Sequence, residues 1–408
     1  MRSFKRVIIS KKAEASARNG HPWIYGEEIQ QKDDGISNGD IVDVYSTKNR
    51  YLGSGFFNGN SKITVRIVSV NANDTFDNAF FERRIKYAAD YRKTCLGGDI
   101  SCCRLVFGDS DFLPGLIVDK FKDILVTQIM SLGIEIRKDV IYSALITHLR
   151  NLGEEINVLY ERNDVAVRAK EGLELYKGYY RADGLKNENE LSSSEVIITE
   201  NGIKYCVDYI KGQKTGFFLD QRFNRLAAAS IAKDKTVLDC FTHTGAFAFN
   251  CASGGAKRVT AVDISEEAIE ESRKNCELNG FKNVDFLCED VFELLTRLYN
   301  GNDKTYDYII LDPPAFTKSR STVTAAYNGY KEINLKAMRL LPRGGWLATC
   351  SCSHFMTDSL FRKMLADAAH DANVSIRIAE YRQQSCDHPV LLSVPETEYL
   401  KFYLVQVV

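Results

Sequence analysis

Between residues 235 and 353, short apolar runs alternate with stretches of helical period. "KTVLDCF", "RVTAVDI", "VDFLCED", "YDYIILDPP" and "GGWLATCSCS" read as strands. "TGAFAFNCASGG", "SEEAIEESRKNCELNG" and a stretch near 326–341 read as helices. Strands buried on both faces are near-continuous apolar runs, and strand–helix alternation of this kind predicts a doubly wound parallel sheet. Ser265 is the expected N-cap of the second helix, acids fill its first turn, and Gly280 stands just past its end. The expected fold class is α/β, with a C-terminal Rossmann-like sheet.

In open α/β sheets, ligands bind beyond the carboxyl ends of the strands. Here those ends carry Asp239 with a turn closed by Gly245, then Asp263, Asp290, the triplet Asp312-Pro313-Pro314, and the pair Cys350 and Cys352. Taken singly, an Asp at a strand end is more often a surface cap than a ligand. The spacing adds weight: Asp263 follows Asp239 by 24 residues, close to the roughly 20 between a glycine turn and the acid that holds a ribose. The turn is not G-x-G-x-x-G and lacks the crowded glycines that admit a pyrophosphate. A nucleoside cofactor without phosphates fits better, and S-adenosylmethionine is the obvious one.

Two of the chain's seven prolines follow Asp312. Proline fixes φ and has no N–H, so the pair makes a rigid exit from the strand and presents Asp312 in one orientation. For the cysteines, core packing is the default, because free Cys is among the most buried residue types. Alternation along a strand would put Cys350 and Cys352 on one face, with Cys352 nearer the ligand end. A thiol beside a rigid Asp and a methyl donor suggests methylation at C5 of a pyrimidine by covalent catalysis, which requires an accessible thiol. The target base must then be single-stranded or flipped.

The rest of the chain bounds the answer more loosely. It has 408 residues, enough for two or three domains. Residues 1–72 read as short strands between turns ("GDIVDVYS", "YLGSGFFN", "KITVRIVS"), a small β-barrel or sandwich. Residues 73–190 mix the helical "DNAFFERRIKYAADYRKTC" and "EIRKDVIYSALITHLRNLG" with the strands of "GLIVDKFKDILVTQIM" and "NVLYERND", an α+β unit. The polar run 184–195 reads as a loop, and 191–408 as the last domain. Net charge is −1, so global charge does not announce a polyanionic partner. Six basic residues from Arg2 to Arg18 face only Glu14. They are expected to form a basic arm, either a solvated first strand or a phosphate-contacting edge. The first fifteen residues have no apolar h-region and no stretch approaches a membrane span. Eleven cysteines without C-x-x-C and six scattered histidines fit neither a disulfide framework nor a zinc site. Reduced thiols in a cytoplasm, with no metal and no membrane partner, are expected.

At "LDCFTHTGAFA", "VTAVDIS", "CEDVFELL", "YDYIILDPPAFTKS", "YKEINLKAMRLL" and "TCSCSHFM" the sequence resembles the class I methyltransferases that make 5-methylcytidine in bacterial 23S ribosomal RNA and carry an N-terminal PUA domain. The likeness covers the whole chain. "HPWIYGEEI" through "SKITVRIVS" looks like the PUA domain, "RLVFGDSDFLPGLIVDKF" like the central domain, and "GQKTGFFLDQRFNR" like the lead into the methyltransferase fold. The resemblance implies Cys352 as nucleophile and Asp312 as its acidic partner. It implies cofactor contacts from Asp239, Phe241, Thr244, Gly245, Asp263, Ile264, Asp290 and Asp312, and a substrate pocket shaped by Pro313, Pro314, Gln221 and Arg222. Gln221 and Arg222 read almost as well as a helix cap and a surface base. Cys350 is read as packing and His354 as a strand-end polar residue. The implied partner is 23S rRNA, with a homodimer left open. Uridine-C5 or guanine methylation, or an inert RNA-binding assembly factor on the same fold, stay open beside the cytosine reading.

Overall fold

The computed structural model describes residues 4–186, 188–191, 193–317 and 319–408. Arg2 of the expected basic arm, Asn187 and Ser192 of the polar run, and Lys318 lie outside the described residues. The chain divides into two compact units. One is built from residues up to 196 with 207–219 and 386–397, the other from 197–206, 220–385 and 398–408.

The first unit holds two sheets. Six short strands form one, in the order Trp23–Tyr25, Ile63–Ser69, Tyr51–Phe57, Ile41–Ser46, Lys5–Ile9, Ile29–Lys32. Val7, Ile9, Val42, Val44 and Val65 bury their side chains there. Against them pack Ala13 and Ala17, from a helix over Lys11–Arg18. That helix corrects the expected basic arm. Ser10 caps it by accepting from the Ala13 N–H (3.3 Å), so Lys11, Lys12 and Arg18 ride on a helix, and Lys5 and Arg6 on a strand. The second sheet runs Tyr176–Tyr179, Val158–Asn163, Ile124–Ile129, Leu116–Phe121, Cys102–Phe107. Helices Asn78–Cys95 and Lys138–Asn151 supply the apolar faces that cover it. The outer strands Cys102–Phe107 and Tyr176–Tyr179 were not expected.

The second unit is built on seven strands: β1 (Thr236–Cys240), β2 (Arg258–Asp263), β3 (Val284–Cys288), β4 (Tyr308–Leu311), β5 (Trp346–Ser351), β6 (Ile376–Arg382) and β7 (Lys401–Val407). Their order in the sheet is β3-β2-β1-β4-β5-β7-β6. The first five are parallel, and β7 runs antiparallel to both its neighbours. The chain moves outward from β1 through β3, then crosses back to β4, so β1 and β4 flank the topological switch point, the ligand crevice of this class of sheet.

The helices of this unit are α1 (Arg222–Ser230), α2 (Ala246–Ser253), α3 (Glu266–Asn279), α4 (Val291–Asn300), α5 (Val323–Leu340) and α6 (Asp358–Ala372). Leu238, Cys240, Ile309, Leu311 and Leu347 point to one face and pack with α4, α5 and α6. Residues of opposite parity, Asp239, Ile310 and Cys350 among them, point to the other. Ser265 and Gly280 cap α3 as the sequence predicts, Gly280 in the left-handed conformation at φ 70°.

Candidate active site

The crevice begins at the turn after β1. Phe241 and His243 take left-handed backbone conformations at φ 63° and 50°, as does Gly245 at φ 84°. Non-glycine residues rarely adopt this region, and such strain is held only where surroundings enforce it. The enforcing bonds are visible. Asp239 lies one residue inside β1 rather than at its end. Its Oδ2 accepts from the Thr242 hydroxyl (2.6 Å) and the Ala248 N–H (3.0 Å). Asp263, at the end of β2, accepts from the His243 N–H with one oxygen (2.9 Å) and from the Ser265 N–H with the other (3.0 Å). Thr244 is buried and its carbonyl accepts from Asn275 (3.3 Å). A side chain at Gly245 would meet the Phe249 ring and Ser272 Oγ at 2.4 Å, so the turn admits only glycine.

This turn leaves polar atoms over. Asp239 Oδ1 and Ser272 Oγ are buried without a hydrogen-bond partner among the described residues. Burial, with the charges of Asp312 and Asp263 adding to it, pushes the Asp239 carboxyl up to about 7. Ile264, next to Asp263, is 67% exposed, an apolar side chain standing at the rim. Asp290 lies two residues past the end of β3 and caps α4. Its Oδ1 accepts from the N–H groups of Phe292 (2.8 Å) and Glu293 (3.1 Å).

Across the switch point, Asp312 follows β4 directly and Pro313 and Pro314 follow it, the first buried and the second exposed. Gln221 holds Asp312. Its Nε2 donates to Asp312 Oδ1 (2.9 Å) while its Oε1 accepts from Asn224 (2.7 Å), which fixes the amide's direction. Gln221 precedes α1 yet makes no side-chain cap bond, so it is a partner of Asp312 and not a helix cap. Arg222 turns its Nε to Glu200 (3.4 Å).

The two cysteines occupy different environments. Leu311 pairs with Thr349, so Asp312 comes level with Cys350. Cys350 is fully buried, and its thiol lies within hydrogen-bond reach of Gln221 and Asp312. Burial first, and the Asp312 charge second, push that thiol well above its ordinary range. Cys352 lies past the last paired residue of β5, so strand alternation does not govern it. It is half-buried, with Sγ 4.0 Å from the Pro313 carbonyl oxygen. The next residue, Ser353, ties the segment down. Its Oγ accepts from the Thr317 N–H (3.5 Å) and bonds the Tyr330 hydroxyl (3.0 Å). His354 is exposed, with Nδ1 3.4 Å from the Glu398 carbonyl oxygen. Sequence reasoning missed Lys401, the first residue of β7, whose buried Nζ donates to the Ser353 carbonyl (2.7 Å). The only signal was a lysine opening the apolar run "KFYLVQVV".

A family model described as S-adenosylmethionine-dependent methyltransferase matches residues 165–391, more than half of the chain. The chain belongs to this family. A PUA-like domain model matches residues 7–70. The methyltransferase is 39% identical to the ribosomal RNA large subunit methyltransferase I of Klebsiella pneumoniae (strain 342), over 99% of this chain and 98% of that protein. It is 41% identical to the protein of the same name from Aeromonas salmonicida (strain A449), over 98% of each. In fold it is similar to a putative S-adenosylmethionine-dependent methyltransferase from Streptococcus mutans, with a TM-score of 0.81 at 23% identity, covering 98% of this chain and 100% of that one.

The methyltransferase's own residues fit its cofactor. A cradle that only glycine can line, buried oxygens without partners, and three neighbouring acids suit a ligand with a cationic head and a ribose. Among the described residues, no group of His, Cys, Asp and Glu could hold a metal ion, and no helix is long and apolar enough to cross a membrane.

Proposed function

We propose that this methyltransferase acts on the C5 carbon of a cytosine in 23S ribosomal RNA, with Cys352 as nucleophile. The observation that carries the reading is the contrast at the end of β5. Cys350 is sealed against Asp312, whereas Cys352 is half-exposed beyond the strand and faces the Pro313 carbonyl. The names of the two relatives supply the large-subunit rRNA as substrate.

Bound S-adenosylmethionine would supply an electrophilic methyl group. Asp239, Phe241, Thr244 and Gly245 would hold its amino-acid end, Asp263 its ribose, and Ile264 and Asp290 its adenine. The Cys352 thiolate forms a bond to C6 of the cytosine, and the electron pair moves to C5, which becomes nucleophilic. Asp312, held by Gln221, would engage N3 and favour the addition. After C5 is methylated, a base removes the C5 proton, the C5–C6 double bond re-forms and the thiolate leaves. Pro313 and Pro314 keep this edge from moving. The six-stranded sheet of the first unit would grip flanking RNA, with affinity falling as salt rises.

The test is methylation of unmodified 23S RNA, with the methylated nucleosides identified by mass spectrometry. Wild type and Cys350→Ala should give 5-methylcytidine at rates within about threefold. Cys352→Ala should lose at least about a thousandfold, as expected when a covalent nucleophile is removed. 5-Methyluridine would change the substrate, and full activity in Cys352→Ala would sink the covalent mechanism.

A further inference from the structure

Lysine is among the side chains least often fully buried, and a buried one normally has a carboxylate partner. Lys401 departs from this. It is 3% exposed, and among the described residues it makes no ion pair. Its Nζ donates instead to two backbone carbonyls, those of Ser353 (2.7 Å) and Tyr399 (2.8 Å). Carbonyl dipoles satisfy N–H groups but bring no countercharge. A residue that merely filled this place in β7, followed by Phe402, Tyr403 and Leu404, would serve better as an apolar one.

The groups around Lys401 are few. Ser351 is its register partner on β5, and Cys352 and His354 follow on the same segment. Tyr330 of α5 reaches Ser353. Asp358 of α6 is engaged by Arg362 (3.0 Å) and by the Tyr403 hydroxyl. Glu398 is engaged by Gln383 (2.7 Å), and the Tyr399 hydroxyl by Asp220 (2.6 Å). Both carboxylates take their hydrogen bonds from other groups, although their charges still favour the ammonium. The Cys352 thiol, one residue before the carbonyl that Lys401 holds, is a further group able to become an anion beside this ammonium.

We propose that Lys401 is a positioning residue for Cys352: it pins the Cys352–Ser353 segment through the Ser353 carbonyl and favours the thiolate with its buried positive charge. This deepens the proposed function and rests on Cys352 being the nucleophile. Burial pulls Lys401 down to about 8, and the neighbouring Cys352, Glu398 and Asp358 oppose that pull. The ammonium is therefore the main form at neutral pH, and the coupling is reciprocal: a cation that stabilises a thiolate is itself stabilised by it.

The experiment follows alkylation of Cys352 by iodoacetamide from pH 5.5 to 9.5, read peptide by peptide by mass spectrometry, in wild type, Lys401→Met and Lys401→Arg. Lys401→Met should move the midpoint up by about one pH unit, about a tenfold slower alkylation at pH 7. Lys401→Arg, which keeps the charge, should stay within about threefold of wild type. Superimposable profiles for all three would overturn the proposal. Should Lys401→Met fail to fold, the reverse measurement decides. In Cys352→Ala labelled with ¹³C-lysine, the Lys401 titration should move down relative to wild type by NMR, and an unmoved titration would overturn the coupling. Failure of the nucleophile assignment shows elsewhere, as methylation activity in Cys352→Ala, so the two failures are distinguishable.

Discussion

The two sides of the switch point are built by different means. After β1, the site is made of backbone. Three left-handed residues, one of them a glycine that admits no substituent, are locked by the buried carboxylate of Asp239 and the partly buried one of Asp263. After β4 and β5, it is made of side chains. Asp312 is aimed by Gln221, and Cys352 is set between the Pro313 carbonyl and a segment that Lys401 holds. Shape suffices to seat a cofactor with a fixed outline. The thiol and acid proposed to react need orientation and charge, which backbone alone does not provide.

The contrast predicts that substitutions after β1 damage folding and cofactor binding together, while those after β5 damage chemistry with little effect on either. Gly245→Ala should give the largest effect. Two contacts at 2.4 Å and φ 84° should cost about 2–4 kcal/mol of stability, measured by chemical denaturation. A variant as stable as wild type would show that the turn relaxes and would break the comparison. Asp263→Ala removes an acceptor from two backbone N–H groups. It should weaken S-adenosylhomocysteine binding by about tenfold to a hundredfold in calorimetry, from lost charge-assisted hydrogen bonds.

The smallest effect is a pH dependence. The folded Asp239 carboxyl sits near 7, above its unfolded value, so the folded state binds more protons than the unfolded state between about pH 4 and 7. Its contribution to stability is therefore fully present at low pH and is lost as pH rises through that window. Asp239→Asn should flatten the decline between pH 5 and pH 8 by about 1–2 kcal/mol. An identical slope in both proteins would remove Asp239 from the account.

Much of the second unit was legible in the chain. Buried parallel strands must be apolar, and α3 announces itself with Ser265 and Gly280. The acids at strand ends marked the crevice, although Asp239 proved to lie inside its strand and Asp290 beyond its own. What escaped were antiparallel pieces and one helix. β6 and β7 are defined by pairing with partners far away in sequence, and nothing local in "KFYLVQVV" says which strand it joins. Lys401 was invisible for the same reason: only the register of β7 against β5 brings it to the Ser353 carbonyl. The Lys11–Arg18 helix had its signal, Ser10 before an alanine-rich stretch, but its basic residues read equally as a solvated strand or a phosphate-contacting edge.

The segmentation of the chain has a consequence for its history. Residues 197–206 belong to one unit while 207–219 belong to the other, and 386–397 leave the second unit just before β7 completes its seven-stranded sheet. A single cut in the gene therefore cannot release either unit whole. Exchange of one half for that of another enzyme, by recombination in nature or by fusion in the laboratory, would sever a strand or orphan a loop. Change should accumulate in such a protein residue by residue, and its modules should be inherited as a set.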